Sequence, residues 1–149
     1  MQRWIGAVDL PPVWMAGFAA LGWGLARLWP QAMPGGTVLG AALVLAGGVL
    51  MTLAAAQMVL RRTTFVPRRD PSALVTGGVF ALSRNPIYLA DAAILAGVLI
   101  YVEGLWFLWL VPAYAAVITR RFIRGEEARI ARHFGADWQA YAARTRRWL

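Results

Sequence analysis

The sequence has no cysteine and a single histidine, His133. A chain without cysteine can form no disulfide, no thiolate nucleophile and no cysteine-ligated metal site, and one histidine cannot form a histidine cluster. These absences exclude several classes of enzyme site. We therefore expect no metal centre.

Lysine is also absent, so all fifteen basic residues are arginine, and they outnumber seven acidic residues to give a net charge of +8. Guanidinium groups stay charged and pair bidentately with phosphates. The arginines flank apolar segments, which makes anionic lipid headgroups, and not nucleic acid, the expected counter-charge.

Polar residues are scarce overall, since 60% of the 149 residues are hydrophobic and the mean hydropathy is +0.56. Soluble domains are roughly 45 to 50% apolar. The excess predicts an all-α, polytopic membrane protein, and the lack of a linker or repeat predicts a single domain over 1–149. We expect about four transmembrane helices, at about 13–29, 37–60, 87–102 and 105–119, with a loop at 61–86 and a tail at 120–149.

Glu103 and Gly104 interrupt the last long apolar stretch, which predicts a hairpin of two short helices. With four helices, the loop and the tail share one side of the membrane with the N-terminus, and this side holds every arginine except Arg27. The positive-inside rule then places both termini in the cytoplasm. We expect the membrane to be a bacterial inner membrane.

Ile130, Phe134, Trp138 and Tyr141 are spaced four, four and three residues apart in the tail, as on one helical stripe with arginines opposite. The spacing predicts an amphipathic tail lying along the membrane surface, with its aromatic residues as an interfacial belt. Aromatic faces could instead hold a cationic ligand such as a sulfonium. Gly135 is expected to divide the tail into two helices, the second beginning near residue 136 or 137.

The segment Ser83-Arg84-Asn85-Pro86-Ile87-Tyr88 leads directly into an apolar helix. Its simplest interpretation is a helix start, with proline at the first position and serine or asparagine as the cap. Asp91 lies on the same face as Tyr88, about one turn inside the apolar span, where an acid is costly unless it is paired. It is either functional or part of a salt bridge to Arg84 or another loop arginine.

Glu126 and Glu127 are adjacent in the tail among several arginines. Surface ion pairs with those arginines are one interpretation, and they would contribute little stability. The other is that one carboxylate accepts hydrogen bonds from a ribose diol or a substrate ammonium.

Together these segments resemble the integral membrane methyltransferase superfamily that includes isoprenylcysteine carboxyl methyltransferases and phospholipid N-methyltransferases. The similarity covers about 64–149. It consists of Pro67, Leu74-Val75-Thr76-Gly77-Gly78, Ser83-Arg84-Asn85-Pro86-Ile87-Tyr88, Glu126-Glu127, Ile130, Phe134-Gly135, Tyr141 and Arg147-Trp148.

The resemblance implies binding of S-adenosylmethionine at the cytosolic ends of the helices and a lipophilic acceptor that enters from the bilayer. The catalytic positions that it implies are Arg84, Asn85, Tyr88, Glu127 and Arg147. The cofactor-binding positions that it implies are Arg84, Asn85, Pro86, Tyr88, Glu126, Glu127 and Tyr141.

The sequence departs from the family pattern at two positions. Asn85 stands where the prenylcysteine branch usually has histidine, which favours the phospholipid-type branch, and Val79 stands where many relatives have proline. The acceptor stays open among a phospholipid amine headgroup, an isoprenylcysteine-type carboxylate, a small thiol and an isoprenoid.

Two alternatives to methyl transfer stay open. One is an NADPH-dependent membrane reductase, because some sterol reductases resemble the same C-terminal core, and the other is a non-enzymatic basic membrane adaptor. The oligomeric state is also open, although small residues between Gly40 and Gly48 would permit close helix packing.

Overall fold

The computed structural model describes residues 9–62 and 72–149, and this part of the chain is helical, without strands. Its only β pairing is an isolated bridge between Gln31 and Gly104. The α-helices, in chain order, are α1 (Pro11–Leu28), α2 (Gly36–Leu60), α3 (Val79–Leu82), α4 (Pro86–Tyr101), α5 (Leu110–Ile118), α6 (Arg124–Phe134) and α7 (Ala136–Arg144). The middle of the predicted loop, including Pro67, lies outside the described residues.

The hairpin predicted at Glu103 and Gly104 is confirmed. Helix α4 ends at Tyr101, and Glu103 adopts a positive φ of 61°, so the chain turns back. Gln31 donates its backbone N–H to the Glu103 carbonyl at 2.6 Å. The turn between α1 and α2 therefore meets the α4–α5 turn at one end of the bundle.

The fourth predicted helix, 105–119, does not end where the sequence predicted. A π-helical turn, Thr119–Ile123, joins α5 to α6, so one continuous helical segment runs over Leu105–Phe134. Phe122 and Ile123 are buried in the apolar core at this turn. Their burial holds the turn against the bundle, and the extra residue of a π turn lets the helix continue without a break.

Gly135 ends α6 with a φ of +50°, and α7 begins at Ala136. The predicted division of the tail at this glycine is therefore confirmed. A residue with a Cβ would be strained at that φ.

Helices α2 and α4 pack with their backbones in close approach. A Cβ added to Gly40 would lie 2.7 Å from the Gly97 carbonyl oxygen, and one added to Gly47 would lie 2.9 Å from that of Ala90. A Cβ on Gly48 would meet nothing within 4 Å. Two of the small residues in α2 thus serve packing within the chain.

Two segments of the described chain are long and apolar enough to cross a membrane, Gly36–Leu60 and Leu105–Phe134. Only 17% of the apolar window in Gly36–Leu60 is buried inside the protein, and Leu45 is 70% exposed. A core helix of a soluble protein would be mostly buried, whereas a lipid environment accommodates exposed leucine. The structure is therefore that of an all-helical membrane protein.

Candidate functional site

The C-terminal segment docks onto the Ser83-Arg84-Asn85 turn through its backbone carbonyls. The Arg84 N–H donates to the Arg146 carbonyl at 2.9 Å. The Ser83 hydroxyl and the Asn85 side-chain amide both donate to the Arg147 carbonyl, at 3.2 and 3.1 Å. These bonds join two segments about sixty residues apart.

Asn85 does not cap α4 in the way that the simplest interpretation of its sequence predicts. Pro86 is at the start of the helix as expected, but Asn85 makes no side-chain cap hydrogen bond. Its backbone N–H instead donates to the hydroxyl of Ser83 at 3.1 Å. The side chain of Asn85 is thereby left to hold the C-terminal segment.

Glu127 lies between two guanidinium groups that come from distant parts of the sequence. The Arg147 guanidinium donates to both carboxylate oxygens, with an Nη2 to Oε2 distance of 2.6 Å, and Arg84 Nη1 lies 3.5 Å from Oε1. The Glu127 carboxylate raises the pKa of Arg147 above its ordinary value through this hydrogen bond. Glu127 is thus buried in a three-residue cluster with Arg84 and Arg147. Its ion pairs are with these two residues and not with the arginines that flank it in α6 and the preceding turn.

Glu126 faces the start of α4, beside that cluster. The Tyr88 hydroxyl lies 3.0 and 3.2 Å from the two oxygens of its carboxylate and donates to it. The two adjacent glutamates therefore contact different partners, one a tyrosine on α4 and the other a pair of arginines.

Two aromatic residues of the tail are buried in the site, so the interfacial-belt interpretation is wrong for them. The Arg84 guanidinium lies over the Trp138 ring, 5.5 Å from its centroid, and the Tyr141 hydroxyl donates to the Phe80 carbonyl at 2.6 Å. Burial raises the pKa of Tyr141 to about 12. Tyr141 therefore fixes α7 to α3 as a neutral donor.

Asp91 is buried and accepts a hydrogen bond from the Tyr114 hydroxyl at 3.1 Å. Arg84, one of the partners that the sequence left open, is instead paired with Glu127. The tyrosine could not be anticipated, because it lies on the other arm of the hairpin.

Two buried side-chain atoms have no hydrogen-bond partner in the part of the chain that the structure describes. They are the donor Arg84 Nε and the acceptor Gln57 Oε1. Buried polar atoms are almost always paired. Each of the two atoms is a candidate contact for a bound ligand, Arg84 Nε as a donor and Gln57 Oε1 as an acceptor.

Gly78 lies directly against the Gln57 side chain, with a positive φ of 57°. An added Cβ would overlap the Gln57 amide. Gln57 therefore lies against the segment that leads into α3 and the Ser83-Arg84-Asn85 turn. In the sequence it is marked only as the one sizeable polar residue of an apolar helix.

The structure brings most of the predicted site residues into one region at the arginine-bearing end of the bundle. Sequence reasoning missed the contributions of Ser83, Trp138, Gln57 and Tyr114. Within residues 9–62 and 72–149, no three metal-ligating side chains lie together in a way that could hold an ion.

Comparison with known families gives one informative result. The family model described as phospholipid methyltransferase matches residues 36–137, which run from the first residue of α2 into α7 and include both glutamates. Curated proteins and solved structures give no significant match.

Proposed function

The chain belongs to the phospholipid methyltransferase family, and on that premise we propose that it transfers a methyl group from S-adenosylmethionine to a lipophilic acceptor. The acceptor is a phospholipid amine headgroup or an isoprenylcysteine-type carboxylate. The reaction takes place at the cytosolic face of the membrane.

The observation that carries this proposal is the cluster of Arg84, Glu127 and Arg147. The Arg84 and Glu127 side chains are only 15% and 11% exposed. Buried ion pairs lose much of their attraction to desolvation, and apolar residues often replace them without loss of stability. A cluster of this kind next to an unpartnered buried donor is better explained by ligand binding than by stability.

S-adenosylmethionine fits the polar groups of the site. Arg84 has a free buried donor for a carboxylate, Glu126 and Glu127 are acceptors for a ribose diol or an ammonium, and Gln57 Oε1 can accept from an amino group. When bound, the cofactor supplies an electrophilic methyl group on a sulfonium. The protein then needs chiefly to position the two reactants and exclude water.

We assign supporting roles to the remaining predicted positions. Asn85 and Pro86 hold the turn and the C-terminal segment in place, and Tyr88 and Tyr141 flank the methyl path. Arg147 keeps the Glu127 carboxylate oriented.

We further propose that the chain forms one domain over residues 1–149 with four membrane-spanning helices. Helices α1 and α4 have 18 and 16 residues, which correspond to about 27 and 24 Å of helix at 1.5 Å per residue. A bilayer core of roughly 30 Å accommodates such short spans by local thinning. In this topology both termini and the site are cytosolic.

Calorimetric titration of the detergent-purified protein with S-adenosylmethionine, alongside NADPH, tests the proposal. We expect saturable binding of S-adenosylmethionine, weakened about tenfold or more in Glu127→Gln and in Arg84→Ala, because each loses a charge-assisted contact. Glu103→Gln, at the opposite end of the bundle, is the matched control and should bind as the wild type does.

The same titration separates the alternatives. Binding of NADPH alone would favour the reductase, and binding of neither ligand by a folded protein would favour the adaptor. Equal binding by wild type and both site variants would rule out the assigned cluster. Thermal unfolding curves of all variants show whether any loss comes from misfolding.

A further inference from the structure

The exposed aromatic side chains lie at one end of the bundle, where the turn between α1 and α2 meets the turn between α4 and α5. Trp23 lies in the last two turns of α1. The others follow α1, end α4 or precede α5, and they are Trp29, Tyr101, Trp106 and Trp109. All five are more than half exposed, and they are the exposed tryptophans, tyrosines and phenylalanines of residues 9–62 and 72–149.

The rest of the bundle has a different surface. Leu45, Val49 and Leu53 are exposed along α2, whereas Tyr88 and Trp138, at the arginine-bearing end, are buried. Hydrocarbon accommodates aliphatic side chains, but indole and phenol rings prefer the boundary of a bilayer, where the N–H or O–H group reaches water or headgroups. The distribution therefore indicates that the aromatic end lies at a bilayer boundary.

Arg27 lies at the same end and is the arginine that the positive-inside arrangement leaves on this side. It is exposed in the last turn of α1, and its guanidinium carbon lies 5.9 Å from the centroid of the Trp23 ring. The ion pairs within residues 9–62 and 72–149 do not include Arg27. A guanidinium held over an aromatic ring at a bilayer boundary keeps its donors free for a phosphate, which it can bind bidentately.

We propose that the five exposed aromatic residues form a belt in the headgroup boundary of the leaflet farther from Glu127, and that Arg27 pairs there with a lipid phosphate. The belt is thus at the opposite end of the bundle from the tail, where the sequence predicted it. Its partner is the phosphate and glycerol region that phospholipids share, whatever their headgroup. The inference therefore does not rest on the proposed methyl transfer.

Depth-dependent quenching of tryptophan fluorescence tests the belt. The whole chain is reconstituted in phosphatidylcholine vesicles whose acyl chains carry bromine either near the headgroup or near the terminal methyl group. The emission lost in Trp106→Phe reports the Trp106 ring, and the emission gained in Val49→Trp reports an exposed position near the middle of α2. We expect the shallow bromine to quench the Trp106 emission more strongly and the deep bromine to quench the Val49→Trp emission more strongly, because α2 crosses the hydrocarbon core.

A phospholipid with a nitroxide on its headgroup tests the phosphate contact of Arg27. The emission lost in Trp23→Phe reports the ring under the guanidinium. In Arg27→Gln, half quenching of this emission should need about two- to fivefold more labelled lipid, as for loss of one exposed ion pair. Arg27→Lys keeps the charge and should behave as the wild type does. A diacylglycerol with the same nitroxide has no phosphate and should quench the Trp23 emission equally in all three proteins.

Shallow quenching of the Trp106 emission, together with a phosphate-dependent effect of Arg27→Gln, supports the proposal. Equal or deeper quenching of the Trp106 emission would overturn the belt. An emission that neither bromine quenches, and that becomes more protected as the ratio of protein to lipid rises, would also overturn it, because a second copy of the chain would then cover this end. A similar effect of Arg27→Gln with the labelled diacylglycerol would overturn the phosphate contact.

Discussion

The Tyr141 hydroxyl has a structural role at the site, because it fixes α7 to α3. The family resemblance implies that Tyr141 binds the cofactor, but in the structure its hydroxyl donates a hydrogen bond to the Phe80 carbonyl. That carbonyl precedes the Ser83-Arg84-Asn85 turn by three residues. Tyr141, in the tail, therefore bonds to the segment just before the turn. Asn85, in the turn, bonds to the C-terminal end of the tail.

Removing this hydroxyl should destabilise the fold. In Tyr141→Phe the buried Phe80 carbonyl loses its donor, which costs about 1 to 3 kcal/mol. Thermal unfolding in detergent should show a lower midpoint than the wild type. An unchanged midpoint would mean that the bond contributes nothing to stability.

The pH dependence of stability gives a second measurement on the same residue. Because the folded pKa of Tyr141 is raised to about 12 from an unfolded value of about 10, its stabilisation is present in full below about pH 10. It declines as the pH rises towards 12, where the unfolded state releases the proton first. The part of the decline due to Tyr141 should be absent in Tyr141→Phe.

At the level of helices, the contact between α2 and α4 depends on glycine at specific positions. Gly47 faces the α4 backbone, whereas its neighbour Gly48 faces open space. The sequence shows a run of small residues but does not distinguish these two. The direction in which each faces is set by the packing of the two helices.

This difference supplies a matched pair of variants. Gly47→Leu should separate α2 from α4 and destabilise the protein by several kcal/mol, because overpacking against backbone atoms cannot be relieved by a rotamer change. Gly48→Leu should leave the midpoint of thermal unfolding close to that of the wild type. Equal effects of the two substitutions would contradict the packing described.

The continuous segment Leu105–Phe134 explains how both glutamates reach the site. A tail that left the bundle at residue 119 would lie on the membrane surface and carry Glu126 and Glu127 away from Tyr88 and Arg84. The π-helical turn Thr119–Ile123 instead carries the helix onward. The Trp148 indole donates to the Thr119 hydroxyl at 3.2 Å and returns the C-terminus to the same turn.

For the molecule as a whole, the absence of native cysteine permits a direct test of topology. With four spans, Ala32→Cys should react with a membrane-impermeant maleimide from the outside of intact cells, and Asp137→Cys should react only after permeabilisation. If the apolar stretch 87–118 crossed the membrane only once, residues 32 and 137 would lie on the same side of the membrane. Labelling of both in intact cells would therefore reject the four-span arrangement.

Composition and local motifs are enough to predict the class of the protein and the ends of several helices. Its apolar content requires a lipid environment, Pro86 fixes a helix start, and Gly135 fixes a helix end through its positive φ. These effects depend on composition or on neighbouring residues, so they can be predicted without knowing the tertiary structure. The family resemblance implied Arg84 and Glu127 as site positions, but their contact with each other was not predicted.

Which of these groups are in contact depends on how the helices pack. The pairing of Glu127 with Arg147, of Asp91 with Tyr114 and of Tyr141 with Phe80 joins residues 20, 23 and 61 positions apart. Such contacts depend on the angle and register at which helices pack. The local sequence around a glycine or an arginine does not show which neighbouring helix its side faces. The side chains that complete the site are therefore fixed by packing and not by local sequence.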